Sequence, residues 1–446
     1  MNYDLAIFGS GFAAYEIARV ATARGQTVAV IEKGTEELSA NPEMSRVPFR
    51  REPIMSGGFD FGAQVPAAFD TLPRYVGLGG TSELWSGKWR RMDALDLERS
   101  HNGRRWLVGH GEMQSYYDKV DANYGRPDWS CDTAFGEYSK LVAAHGLRVV
   151  EIYEEAPPLR IRPKWTVLRQ QGADVFCEAN VAEAVYDPGG NWIYSVRVLS
   201  GGREHIISAK QFVVACGGIE SVHLSHELRA SKSQHGWHNL LSVRYGGFMD
   251  HPKAFVGEVV PKRSLPLLEY LQDTRSRLNR LLAFSLPERE LATENLGNHT
   301  VFLWAERTAV PQHPLQMVIN LEQFPEQDNF VTRSPTPAVS WRMSRRTWTD
   351  CQAFLKVFVP RVTKMIGRVT YHDTLTFRGA SHHMGALPMG EPGDGHLDRN
   401  CRFYDVTNLY CVSSAVFPVA GSANPTMTVV ALARRLADHL KARECG

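Results

Sequence analysis

The sequence predicts an α/β fold: a parallel sheet assembled from both ends of the chain, with an α+β domain built on an antiparallel sheet inserted between them. Three observations carry this reading. The apolar run Leu5-Ala6-Ile7-Phe8 leads into the glycine turn Gly9-Ser10-Gly11-Phe12-Ala13-Ala14. Residues 245–345 are rich in strand formers and hold no second turn of that kind. From Asn408 an apolar strand, a loop and a long helix restore the character of the first residues. Short continuous apolar runs bounded by turn signals suit a parallel sheet covered on both faces.

Behind the first turn, Ile17, Val20 and Ala21 share a helical face, Gly25 ends the helix, and Thr27-Val28-Ala29-Val30-Ile31-Glu32 is a second strand. Residues 35–75 have scattered Pro and Gly and little periodicity, so they read as irregular. Residues 77–90 form a glycine-rich loop carrying Trp85 and Trp89. Helices are expected at 112–124, 135–145 and 347–366. The period-two pattern from Val175 to Val198, broken by Asp187-Pro188-Gly189-Gly190, predicts a hairpin. Phe212-Val213-Val214-Ala215-Cys216 is another buried strand, ending in Gly217-Gly218.

With 446 residues the chain has room for two or three domains and a large core. Its net charge of +2 gives no reason to expect a nucleic-acid or anionic-membrane partner. Cys131, Cys177, Cys216, Cys351, Cys401, Cys411 and Cys445 are odd in number and form no CxxC pair. Neither a disulfide framework nor a zinc site is expected from them, and no other metal site is read. They suit small buried hydrophobes in a reducing compartment. No apolar stretch reaches the roughly 18 residues of a membrane helix. No basic-then-apolar leader precedes the first strand, so a cytoplasmic protein is expected.

Gly9-x-Gly11-x-x-Ala14, between a strand and a helix, with Glu32 ending the next strand, is the pattern of a Rossmann-type dinucleotide turn. Gly9 permits the tight turn. Gly11 lets a pyrophosphate approach the backbone at the helix N-terminus, where N–H groups and the dipole favour anions. Ala14 still allows close helix–strand packing, and Glu32 can accept hydrogen bonds from ribose hydroxyls. The turn alone does not separate NAD from FAD, and a glycine turn needed only for packing is the alternative.

Later segments discriminate. Gly79-Gly80-Thr81-Ser82-Glu83-Leu84-Trp85-Ser86-Gly87 resembles the flavin-contacting loop of the glucose–methanol–choline (GMC) oxidoreductases. Trp106 with Glu112-Met113-Gln114-Ser115-Tyr116-Tyr117 is similar to a segment of the sugar-oxidising, pyranose-oxidase-like members. Cys216-Gly217-Gly218-Ile219-Glu220-Ser221 resembles the strand-end segment beside FAD, and Phe248-Met249-Asp250-His251-Pro252 the motif opening the substrate domain. His382-His383-Met384-Gly385-Ala386-Leu387-Pro388-Met389-Gly390 resembles the HPxGTxxMG pattern, with His383 for Pro and Ala386 for Thr. Asn408-Leu409-Tyr410, Val416-Phe417-Pro418 and Asn424-Pro425-Thr426-Met427-Thr428 resemble the closing signature, although Ser413 stands where many members carry Asp.

The resemblance implies a Rossmann-type FAD-binding domain in three parts, 1–105, 161–235 and 378–446. It also implies a peripheral or lid segment at 106–160 and a substrate domain at 236–377. Gly9, Gly11, Phe12, Ala13, Ala14, Glu32, Gly79, Gly80, Thr81, Ser82, Ser86, Val181, Gly217, Pro425 and Thr426 are the implied cofactor contacts. Leu84 replaces the histidine that some members bond to flavin, so the FAD is expected to be non-covalent. His382 is the candidate base, with His383 its rival, and Asn424 the group that orients the substrate oxygen. Asn424 is also a good N-cap, Pro425 fits the first helical position, and Val429, Ala433, Leu436 and Leu440 make a buried stripe. The positive end of that helix suits the edge of a reduced flavin.

The expected reaction is oxidation of an alcohol, a sugar, glycoside or aminosugar hydroxyl, to a carbonyl, with oxygen or another acceptor taking the electrons. A flavin-dependent lyase or isomerase with structural FAD is one alternative. A non-catalytic FAD-binding protein is another. Trp85, Trp89 and Trp106 read as packing residues, one of which could line a sugar-facing wall, and Arg90 and Arg91 as a solvated face.

Overall fold

Strand Asn2–Phe8 forms the middle of a seven-stranded sheet ordered Asp174–Phe176, Val28–Ile31, Asn2–Phe8, Arg203–Val214, Ile193–Ser200 and Ala179–Tyr186. Leu409–Cys411 joins by pairing with the end of Arg203–Val214. The structure is a computed structural model describing residues 1–38, 45–51, 62–64, 71–127, 132–231, 244–262, 270, 278–304, 314–332, 337–371 and 374–444. Asn2–Phe8 runs parallel to both neighbours, with Ile7 opposite Val30 on one side and Val213 on the other. All four residues of Val28–Ile31 are buried, as a strand covered on both faces requires. Helix Phe12–Thr22 packs against the closing helix Pro425–Glu444, so the two ends of the chain share one layer. The expected α/β fold with an inserted antiparallel unit is the fold observed.

The hairpin predicted around residues 187–190 is present. Ala179–Tyr186 and Ile193–Ser200 pair antiparallel, and Asp187 accepts from the backbone N–H groups of Gly189, Asn191 and Trp192 to close the turn. Helices expected at 112–124, 135–145 and 347–366 appear as His110–Tyr124, Thr133–Ala144 and Arg345–Met365. Ser344 caps the last of these by accepting from the Thr347 N–H at 3.2 Å.

A second seven-stranded sheet is wholly antiparallel. Its order is Gly367–Tyr371, Lys253–Pro261, Leu315–Asn320, Thr300–Trp304, Arg280–Ser285, Arg148–Glu154 and Lys88–Trp89. Sheet membership therefore crosses the expected segments: Lys88–Trp89 comes from 1–105 and Arg148–Glu154 from 106–160.

The irregular reading of 35–75 is corrected in part. Ser45–Arg51 pairs parallel with Ala338–Trp341 and antiparallel with Thr71–Arg74. These pairings are distant in sequence, so local periodicity carries no trace of them. Helices Arg162–Gln170 and Gly217–Ala230 were also not expected, the second because its two opening glycines read as the end of a strand. Among the described cysteines, Cys177 and Cys216 are half-buried, Cys351, Cys401 and Cys411 are buried, and none is bridged. Cys131 and Cys445 lie outside the described residues. Among the described residues no helix is long and apolar enough to cross a membrane, and no cluster of metal-binding side chains occurs.

Candidate active site

A cleft of about 370 Å³ runs along the carboxyl ends of the parallel strands. Gly9, Gly11, Phe12 and Ala13 line its middle; Glu32 and Val181 line one part, and Gly80, Thr81, Ser82, Gly217, Pro425 and Thr426 others. Gly9 has φ +93°, and a Cβ there would stand 2.7 Å from the Ala215 carbonyl oxygen, so only glycine closes this turn. Helix Phe12–Thr22 starts at Gly11 with no side-chain cap, leaving its first N–H groups open toward the cleft. These features fit a dinucleotide cofactor. Glu32 is buried, accepting from Ser10 Oγ at 2.6 Å and from the Gly34 N–H at 2.8 Å, and burial raises its pKa.

Other expected contacts are placed differently. Ala14 is fully buried beneath the turn and does not line the cleft. Gly79 lies just behind it: a Cβ there would meet Glu83 Oε1 at 2.6 Å and the Arg162 nitrogen at 2.8 Å. Its requirement for glycine comes from the helix behind the loop. Ser86 is exposed and also outside the lining. Ser413 accepts from the Ala415 N–H at 3.1 Å, capping a short turn that borders the cleft.

His382 and Asn424 meet. Asn424 Nδ2 lies 3.1 Å from His382 Nε2, directly before the helix whose Pro425 and Thr426 line the cleft. The other nitrogen, His382 Nδ1, lies 2.9 Å from His251 Nδ1, and His251 Nε2 lies 3.0 Å from the Gly421 carbonyl oxygen. The ends of this chain fix its direction. A carbonyl only accepts, so His251 Nε2 carries hydrogen; an amide nitrogen only donates, so His382 Nε2 presents its lone pair. Between them His382 Nδ1–H donates to His251 Nδ1. Both imidazoles are neutral. Burial, then Lys253, hold His251 down to about 3. Burial, then His251, Lys253, His383 and Lys88, hold His382 well below 6.5.

Asp250 orders the backbone around this pair. Its Oδ1 accepts from the N–H groups of His251, Ala380 and His382 at 2.6, 3.1 and 2.9 Å. Gly421, at φ +60°, is held by its N–H to Glu322 Oε1 at 3.2 Å; a Cβ there would stand 2.5 Å from Asp96 Oδ2. The role of His251 was missed by sequence reasoning. Its signal was the Asp250-His251-Pro252 motif, read only as the opening of a domain. The rival His383 lines the cofactor cleft, and its Nε2 is buried with no hydrogen-bond partner among the described residues.

Arg90 is corrected from a solvated residue to a buried one. It donates to Ser422 Oγ at 2.8 Å and pairs with Asp93 at 2.7 Å, bracing the loop that carries Asn424. Trp85 and Trp89 pack edge-on against Phe12 with centroids 4.8 and 5.3 Å away. Trp106 and Tyr117 are buried as well: Trp106 against Phe417, and Tyr117 bonded to Thr428 Oγ1 at 2.9 Å.

A family model described as GMC oxidoreductase matches residues 326–433. Among curated proteins, the fructose dehydrogenase large subunit of Gluconobacter japonicus is 24% identical over 53% of this chain and 48% of its own. This match therefore spans about half of that relative. 2-Methyl-1,2-propanediol dehydrogenase of Mycolicibacterium austroafricanum is 23% identical over 82% of this chain and 81% of its own. Paromamine 6'-oxidase of Streptomyces fradiae is 22% identical over 98% and 90%. Formate oxidase of Aspergillus oryzae shares the fold with a TM-score of 0.65 at 14% identity, covering 100% of this chain and 99% of that one. Pyridoxine 4-oxidase of Mesorbium loti does so at 0.62 and 15%, covering 98% of each. The chain thus matches the GMC oxidoreductase model over residues 326–433, is similar over most of its length to proteins named as a dehydrogenase and an oxidase, and shares its fold with two solved oxidases.

Proposed function

We propose that this protein oxidises an alcohol carbon to a carbonyl, with His382 as base and Asn424 orienting the substrate oxygen beside a non-covalently held FAD. The observation that carries this is the 3.1 Å approach of Asn424 Nδ2 to an unprotonated His382 Nε2 at the edge of the cofactor cleft. A hydroxyl entering between them takes the amide hydrogen bond on its oxygen and offers its proton to the Nε2 lone pair. The carboxamide then holds the developing alkoxide. His251 keeps His382 in the tautomer that accepts at Nε2, and Gly421 holds His251. FAD, when bound, supplies the hydride acceptor. The N-terminal end of helix Pro425–Glu444 gives positive potential there.

Two side chains support non-covalent binding. Leu84 has no nucleophile, and burial first, then Glu32 and Glu220, push the Cys216 thiol well above its ordinary range, leaving little thiolate. A polyol substrate agrees with two relatives named for fructose and 2-methyl-1,2-propanediol, both of which carry adjacent hydroxyls.

The test is anaerobic mixing with a panel of alcohols and sugars, followed by admission of oxygen. Loss of flavin absorbance with carbonyl product supports the proposal. Conversion of substrate without bleaching would place the reaction among lyases or isomerases. Recovery of absorbance on oxygen addition would identify the acceptor.

A further inference from the structure

The segments 249–253 and 378–384 run antiparallel beside the histidine pair. Bridges join Met249 to Met384 and Lys253 to Arg378, with His251 and His382 between them. Lys253 is thus two residues from His251, and its backbone is bonded in both directions to Arg378, at 2.7 and 2.9 Å, at the start of the loop that delivers His382. Its side chain is half-buried, yet its ammonium makes no hydrogen bond or ion pair among the described residues. Burial first, then Lys88, push its pKa down to about 8.

The sheet continues this polar site. Lys253 is opposite Asn320, and Asn320 is opposite Thr300, so the three side chains form a row on one sheet face. The alternate row, Ala254, Ile319 and Val301, is buried apolar core. Asn320 Nδ2 reaches the Ser422 carbonyl oxygen at 3.5 Å, which sets the row against the loop leading to Asn424. Asn320 Oδ1 and Thr300 Oγ1 are buried and have no partner among the described residues, so this face carries polar capacity those residues do not satisfy. Neighbouring charge is mainly positive. Lys88 and Arg378 repel the Lys253 ammonium, and Asp250 attracts it without forming an ion pair with it. Lys88 has Glu154 only at 3.6 Å, while Asp250 already receives three backbone N–H groups on Oδ1. A cation held half-desolvated without an acid partner is costly unless an anion completes it.

We propose that the alcohol oxidised here carries an anionic group, a carboxylate or phosphate, which pairs with the Lys253 ammonium while its hydroxyl sits between His382 and Asn424. This rests on the oxidation reading above and narrows its substrate class, away from cationic aminosugars. Lys253 is then a specificity residue. It favours anionic over neutral substrates and disfavours amines by like-charge repulsion.

The experiment uses the FAD-loaded protein at pH 7.5 under anaerobic conditions, following flavin bleaching. Matched pairs are gluconate against glucose and glycerol 3-phosphate against glycerol, with glucosamine as the cation. The expected result is at least a roughly tenfold higher kcat/KM for the anionic member of one pair, reduced by added salt. Which pair responds separates carboxylate from phosphate. In Lys253→Met the anion-to-neutral ratio falls about tenfold or more, and Lys253→Arg restores part of it. Preference for the neutral member in both pairs, or for glucosamine, overturns the proposal using wild-type protein alone. Equal loss for both members in Lys253→Met, with an upward shift of the kcat/KM pH profile, also overturns it and makes Lys253 a positioning residue for the histidines. Bleaching by neutral alcohols alone leaves the oxidation reading intact. Absence of bleaching by any alcohol sinks both.

Discussion

His251 and His382 meet Nδ1 to Nδ1 at 2.9 Å, with ring planes 89° apart. Two neutral imidazoles bond at this distance only if one donates and the other accepts. The Gly421 carbonyl decides which by taking the His251 hydrogen at Nε2. The acceptor state of His382 Nε2 is thereby set from a distance, by a glycine peptide two bonds away along the hydrogen-bond chain.

Replacing His251 with Phe removes the acceptor and leaves the His382 tautomer unset. The rate of flavin reduction is expected to fall by about 10–100-fold, as for lost outer-shell partners of a histidine, with KM changing far less. His251→Gln, which can still accept, retains more activity. Stopped-flow reduction of the two variants checks the order. A His382→Ala change is expected to be larger, about 10²–10⁴-fold, because it removes the proposed proton acceptor itself.

The pH profile should lack an acid limb near the ordinary histidine value. Burial, the neighbouring imidazoles and two lysines keep His382 neutral well below pH 6.5, so the base form is present throughout the neutral range. kcat/KM is expected to stay level from pH 8 to 6.5 as far as this group is concerned. An inflection at or above 6.5 that disappears in His382→Ala would contradict the assignment.

Acid should weaken the fold through the same histidines. Unfolded imidazoles take up protons near pH 6.5, whereas burial holds His251 and His101 down to about 3 and His396 to about 4. Between pH 6.5 and about 3 the unfolded chain binds more protons, so stability is full above 6.5 and falls as pH drops. Each group contributes up to ~1.4 kcal/mol per pH unit in that window. Asp96, pushed up to about 6 by burial and by Asp93, takes up a proton in the folded state and opposes part of the fall. Urea melts at pH 7 and pH 5 measure the slope, which His251→Gln should reduce.

Gly9→Ala should abolish cofactor retention before it abolishes folding. The new methyl would stand 2.7 Å from the Ala215 carbonyl at a φ of +93°, a strain of about 1–3 kcal/mol placed on the turn. The flavin-to-protein ratio after purification is the readout. A near-stoichiometric ratio would show that the turn relaxes and that the close approach is not required.

Much of this molecule was determined by its sequence. Buried strands such as Val28–Ile31, the Asp187 turn and helix Arg345–Met365 are local, since their periodicity, caps and turn residues all lie within a few positions. The glycine turn was likewise readable, and so were the segments carrying His382 and Asn424, whose side chains the fold brings to 3.1 Å of each other. Only tertiary structure decided the rest. The strand at residues 45–51 exists through pairing with 338–341, and Arg90 is buried through Ser422 and Asp93. His251 becomes the partner of His382 across 131 residues. Sequence patterns record which faces must be buried, but the partner that fills a distant hydrogen bond is fixed only when the chain closes on itself.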